Sequence, residues 1–197
     1  MTQLIGLVGR AGSGKGTAAK IIQGYTMDSK MTSKWKVVKF AGKLRKVASI
    51  LTGVPVHKWE DREFKASTMG SKWATRMGDD AYYMTAREFL QRLGTNGIRD
   101  NVHPDVWINA IFADWKPDSH WIIDDCRFMN EYQAIKSRGG LVIYLERETG
   151  TEDLHISETE MQSFQHLCDA QIPNNGGIQD LTYLLRYFLI QHNIIPS

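Results

Sequence analysis

Cysteine is scarce: only Cys126 and Cys168 in 197 residues. Two thiols so far apart form neither a disulfide framework nor the paired spacing of a metal site. Both are expected to stay reduced, in a cytoplasmic protein. No apolar run approaches the roughly 20 residues needed to span a bilayer, so no membrane partner is expected. The chain reaches strand pattern by Gln3, so no signal peptide is expected. A large charge of one sign is also missing. Lys and Arg total 24 against 22 Asp and Glu, a net +2, so no general attraction to nucleic acid is expected. There is no internal repeat and no low-complexity tract, and the length suits one domain with a sizeable core. The local exception is Lys30 to Lys46, with seven basic residues and no acid. That run reads either as a solvated face or as a site for anions.

What is present is a glycine loop in a specific setting. Gln3 to Val8 is an apolar run of strand length, and Gly9-Arg10-Ala11-Gly12-Ser13-Gly14-Lys15 follows with the G-x-x-x-x-G-K spacing. Ala18, Ala19, Ile21 and Ile22 then continue at helical spacing. Strand, glycine loop and helix are what an anion site needs, because backbone N–H groups and a helix N-terminus must converge on one phosphate. Lys15 is placed to reach the β- and γ-phosphates of a nucleotide. Gly16 stands where the commonest loops carry Ser or Thr, and the hydroxyl comes one place later, at Thr17.

Further strands are expected at Val37–Phe40, His120–Asp124, Leu141–Leu145 and Ala170–Ile172. Helices are expected at Leu44–Leu51, His57–Ser67, from Thr85, Pro104–Trp115, Asn130–Ser137, Glu158–Leu167 and Ile178–Gln191. The last carries Ile178, Leu181, Leu184, Leu185 and Phe188 as a core-facing stripe. Thr85 with Glu88 makes a capping box. Alternating strands and helices imply an α/β fold: a doubly wound, mostly parallel five-stranded sheet with helices on both faces. Residues 41–118 contain no convincing strand and read as a helical insertion over the ligand-bearing edge of one domain covering 1–197.

Two more clusters carry chemistry. Trp121 to Asp125 reads WIIDD, a buried strand ending in acid, with Arg127, Asn130 and Glu131 beyond it. A strand-end carboxylate can organise Mg²⁺ or its waters. The bland alternative is that Asp125 caps a helix and Arg127 pairs with Glu131. On the Thr85 helix, Arg87 and Gln91 share a face, apart from the apolar Phe89, Leu90 and Leu93. They offer a fork for phosphate and an amide for a base edge, and Gly94 and Gly97 are expected to end the helix and bring Arg99 round. Several arginines with no poised general base suit transfer to an acceptor that is itself a phosphate, where positioning and positive charge dominate.

G-K-G-T is the form found in adenylate kinase and related nucleoside monophosphate kinases. More specifically, "GRAGSGKGT", "FAGKLRKVASILTG", "TAREFLQRLGTNGIRD", "IIDDCRFMNEYQAI", "DLHISE" and "CDAQIPNNGGIQDL" follow the order seen in bacteriophage deoxynucleoside monophosphate kinases, so nearly the whole chain resembles that family. The resemblance implies a P-loop kinase fold, with a helical acceptor-binding insertion and a short lid at 147–158. It implies ATP-dependent, Mg²⁺-assisted conversion of a deoxynucleoside monophosphate to its diphosphate in the bacterial host cytoplasm, by a monomer or homodimer. By position it implies that Gly9, Arg10, Ala11, Gly12, Ser13, Gly14, Lys15, Gly16, Thr17 and Asn174 hold ATP. Lys15, Asp125, Arg127 and Arg147 would be catalytic, and Thr17 and Asp125 would serve the metal. Lys43, Arg45, Arg87, Gln91, Arg99, Trp107 and Glu158 would bind the acceptor, while His155 and Ser157 match the end of the lid. Dephospho-CoA kinase, phosphomevalonate kinase and a non-catalytic nucleotide-binding module remain the alternatives.

Overall fold

The structure, a computed structural model, describes residues 3–28, 35–77, 80–116, 118–148, 160–161 and 163–196. It divides into two compact units: residues 1–39 with 114–197, and residues 40–113.

The first unit is built on a parallel sheet of five strands, in the order β2-β5-β1-β6-β7. These are β1 (Leu4–Val8), β2 (Lys36–Val38), β5 (Trp121–Ile123), β6 (Leu141–Glu146) and β7 (Ala170–Pro173). Ile5 pairs with Ile122 on one side and Leu141 on the other, which makes β1 central. All five residues of β1 are buried, as strands covered on both faces must be. Helix α1 (Lys15–Asp28) and the C-terminal helix α7 (Ile178–Gln191) flank the sheet. Ala18, Ala19 and Ile22 join Leu181, Leu185 and Phe188 in its core. Ile178 departs from the expected stripe and is 64 % exposed. It is the first residue of α7, and helical side chains lean toward the N-terminus, so it overhangs the end of the helix. Helix α6 (Met129–Lys136) covers β1 and β6.

The second unit holds α2 (Ala41–Thr52), α3 (Arg62–Ala66), α4 (Ala86–Gln91), α5 (Val106–Phe112) and the hairpin β3 (Thr75–Met77) and β4 (Asp80–Tyr82). Its core stacks Trp59 on Phe89 and sets Phe64 and Trp73 edge-on to that pair, with Ala48, Met69 and Ala86 beneath. Two expectations are corrected here. The insertion is not free of strand, and Gly78-Asp79 between two three-residue segments was the available hairpin signal. The helix expected over His57–Ser67 is split into a 3₁₀ turn, Val56–Glu60, and α3. Asp61 is extended, and its carboxylate accepts the Phe64 N–H at 2.7 Å, which starts a new helix.

The capping box of α4 is complete. Thr85 Oγ1 accepts the Glu88 N–H at 3.2 Å, and Glu88 accepts the Thr85 N–H at 2.7 Å. The Tyr82 hydroxyl also donates to Glu88. The Thr85 N–H, then the Tyr82 hydroxyl, hold the Glu88 carboxyl below its ordinary range. Thr85→Ala should therefore cost about 1 kcal/mol, about 2–4 °C in Tm for a chain of this size. A depressed carboxyl stabilises the fold above its unfolded pKa and loses that contribution as pH falls through the folded value. Glu88→Gln should thus melt lower than wild type at pH 7, and the gap should narrow below about pH 4. Thermal melts across pH test both.

Candidate active site

The carboxyl ends of the five parallel strands each deliver a polar element, at the edge where sheets of this type bind ligands. After β1 comes the glycine loop. Gly9, Gly12 and Gly14 have φ of +150°, +82° and +95°, and a Cβ on Gly9 would sit 2.6 Å from the Leu145 carbonyl oxygen. A side chain is excluded there by both conformation and space. Ser13 is fully buried, whereas Arg10, Gly12, Gly16 and Thr17 are exposed. Lys15 opens α1, and its ammonium donates to the carbonyls of Gly9 and Arg10, the latter at 2.8 Å. Ser13 Oγ lies 3.5 Å from the same nitrogen. The first-turn N–H groups of α1 and the cation therefore belong to one loop.

Past β2 and β5 lie Lys39 and Asp124. Lys39 Nζ is 3.5 Å from Asp124 Oδ2, and the carboxylate is 7 % exposed. A buried charge needs such compensation. A Cβ on Gly16 would be 4.0 Å from the same Oδ2. An acid at position 16 would set a second carboxylate beside Asp124, which rationalises glycine after Lys15. Asp124 beside the start of α1, with Thr17 in its first turn, is an oxygen donor set that fits Mg²⁺. Among the described residues no group of three or more His, Cys, Asp or Glu could hold a metal by itself.

Asp125 is half-buried and lies three residues before Phe128, the N-cap position of α6. That helix follows Phe128, and the buried Glu131 carboxylate accepts the N–H groups of Arg127 at 2.8 Å and Phe128 at 3.2 Å. Cys126 is fully buried, and burial, then the negative charges of Glu131 and Asp125, push its thiol well up. Burial also pushes Cys168 up to about 12. Neither is a thiolate nucleophile at neutral pH.

Arg147 is exposed directly after β6. Asn174 follows β7, is 6 % exposed, and donates from Nδ2 to the Ser13 carbonyl at 2.8 Å. His155, Ser157 and Glu158, with most of the 147–158 segment, lie outside the described residues.

In the second unit, Gly94 and Gly97 do not end the Thr85 helix. It continues as a π-helical stretch, Arg92–Arg99, closed by the Asp100 N–H donating to the Thr95 carbonyl at 3.0 Å. Gly94 is buried where a Cβ would strike Leu44, and the Trp107 indole N–H donates to its carbonyl at 2.9 Å. Close packing is thus the reason for that glycine. The register has a consequence. On an α-helix, i+4 runs ahead by about 40°; a π turn bonds i to i+5, so i+4 falls back. Arg87, Gln91, Thr95 and Arg99 are therefore kept closer to one face than a continuous α-helix would keep them. The side chains of Arg87, Gln91 and Thr95 make no hydrogen bond or ion pair to another described residue. Arg45 instead pairs with Glu60 at 2.6 Å, Lys43 is half-buried on α2, and Trp107 is buried as a pin for the π turn.

Three further polar residues stand beside the predicted ones: Lys39, Thr95 and Asn175. Lys39 was hidden in the basic run, and Thr95 needed the π register. Asn175 stood out only as part of N-N-G-G, a pattern that a simple turn also explains.

The family model described as deoxynucleotide monophosphate kinase matches residues 31–184. The match begins beyond the glycine loop, whose assignment stands on its own geometry. A deoxynucleotide monophosphate kinase relative from Acanthamoeba polyphaga mimivirus is 29 % identical over 194 residues, covering 90 % of this chain and 91 % of the relative. Deoxynucleoside-5'-monophosphate kinase from Escherichia phage T5 is 25 % identical, covering 72 % and 74 %. Among solved structures, dephospho-CoA kinase from Campylobacter jejuni superposes with a TM-score of 0.51 at 11 % identity over 98 % of both chains, a likeness of fold.

Proposed function

The chain belongs to the deoxynucleotide monophosphate kinase family, and from that premise we propose that its first unit holds ATP and its second unit binds the deoxynucleoside monophosphate. The observation that carries this reading is the glycine loop after β1, in which the Lys15 ammonium is held against the loop at the first turn of α1, with the Lys39–Asp124 pair near Gly16. In this reading the loop N–H groups hold the triphosphate, and Lys15 places a point charge on its β- and γ-phosphates. Mg²⁺ held by Asp124, Asp125 or Thr17 would neutralise phosphate charge. Asp124 is favoured over Asp125 because its carboxylate lies beside Gly16.

The acceptor oxygen of a monophosphate is already anionic and needs no strong base. The chain's task is to hold two like-charged phosphates in line and offset their repulsion. Arg127 and Arg147 in the first unit would offset charge on the donor, and Arg87 and Arg99 in the second would offset charge on the acceptor. Gln91 and Thr95 offer polar atoms to the base or sugar. The phage relative supports a site of action in the cytoplasm of an infected cell. No helix among the described residues is long and apolar enough to cross a membrane. The test is a coupled ADP-release assay with the four deoxynucleoside monophosphates, the four ribonucleotides, and hydroxyl acceptors such as dephospho-CoA. ADP release is expected only with nucleoside monophosphates. Release only with an alcohol acceptor refutes the assignment. Asp124→Asn is expected to shift the Mg²⁺ dependence more than Asp125→Asn does.

A further inference from the structure

Two consecutive asparagines follow β7, and each reaches a different part of the phosphate edge. The Asn174 backbone N–H donates to the Glu146 carbonyl at 2.7 Å, which seats the residue against the end of β6. Its side-chain amide then donates to the Ser13 carbonyl at 2.8 Å, from a position 6 % exposed. The approach is so close that a Cβ on Gly14 would collide with that amide nitrogen. Asn175 points the other way: its Oδ1 accepts the Glu148 N–H at 3.0 Å, holding the chain directly after Arg147. The turn is itself anchored, since Asp180 accepts the Gly177 N–H at 2.9 Å at the start of α7.

We propose that Asn174 and Asn175 act as a positioning pair, Asn174 shaping the phosphate loop at Ser13–Gly14 and Asn175 fixing the backbone beside Arg147. The inference rests on the donor-site reading above. Neither residue needs to touch the nucleotide for this role. A Ser13 carbonyl turned inward by Asn174 turns the N–H of the same peptide, on Gly14, the opposite way, and preorganised donors are worth most when they need not rearrange on binding.

The two bonds have opposite polarity, and that provides the test. Asn174 donates, so Asp cannot replace it and would set a carboxylate against the Ser13 carbonyl. Asn175 accepts, so Asp keeps its bond while Ala loses it. In the full chain, Asn174→Asp and Asn174→Ala should each weaken ADP binding by calorimetry, and raise KM for ATP, by about tenfold or more, with KM for the monophosphate within about twofold. Asn175→Ala should lower kcat, and Asn175→Asp should restore most of it. Wild-type ADP affinity in both Asn174 variants overturns the inference. So does an equal rise in both KM values alongside a lower Tm, which marks general loss of structure. If the wild type binds ADP yet phosphorylates no nucleoside monophosphate, the functional reading fails, while the ADP-binding comparison still decides this inference.

Discussion

Lys15→Met should fold and should lower kcat/KM by about 10²–10³-fold, the loss expected when one preorganised electrostatic donor is removed, ~2.7–4 kcal/mol. Methionine keeps the length and apolar stem of lysine and deletes only the cation. The bonds lost within the protein include those to the Gly9 and Arg10 carbonyls, and the second of these is solvent-exposed. Water replaces an exposed bond at little net cost, so the stability loss should be about 1 kcal/mol, a few degrees in Tm. Steady-state kinetics with ATP varied, together with a thermal melt, separates the two effects. Near-wild-type turnover would remove the loop from the donor site. Loss of activity with a collapsed melt would make Lys15 a structural residue.

Arg87→Lys should raise KM for the monophosphate about tenfold or more and leave KM for ATP within about twofold. A guanidinium presents two parallel N–H donors to a phosphate, and an ammonium cannot reproduce that fork. Arg87 is exposed on a helix whose start is held by the Thr85–Glu88 box, so the substitution should leave the scaffold intact. Gln91→Ala should change the ranking of the four bases more than it changes phosphate affinity, and Thr95→Val, near the same face, should act in the same direction. The measurement is kinetics with each substrate varied in turn. Weaker ATP with an unchanged monophosphate KM would place this helix at the donor, and the proposed division of roles between the units would be wrong.

Much of this was legible in one dimension because the signals are local. G-x-x-x-x-G-K after an apolar strand specifies a loop through backbone conformation, which adjacent residues control. Strands β1, β5 and β6 stood out because each carries an unbroken apolar run, the mark of a strand buried on both faces, whereas the edge strands β2 and β7 are short and include Lys36 and Gln171. The Thr85–Glu88 box spans four residues and needs no partner elsewhere. The hairpin of the second unit was missed because its strands are three residues long and carry Arg and Asp, so burial leaves no pattern in them.

By itself, then, the sequence determined the order of strands in the first unit, the glycine loop between β1 and α1, and the family. Tertiary structure decided which carboxylate of the Asp124–Asp125 pair lies beside that loop, because successive strand residues point to opposite faces and only the neighbouring strands and α1 define what each face meets. It decided that Gly94 sits inside a continuing helix, since the reason is a Leu44 side chain fifty positions away. It decided as well that Asn174 reaches Ser13, a contact across 161 residues that no local pattern encodes.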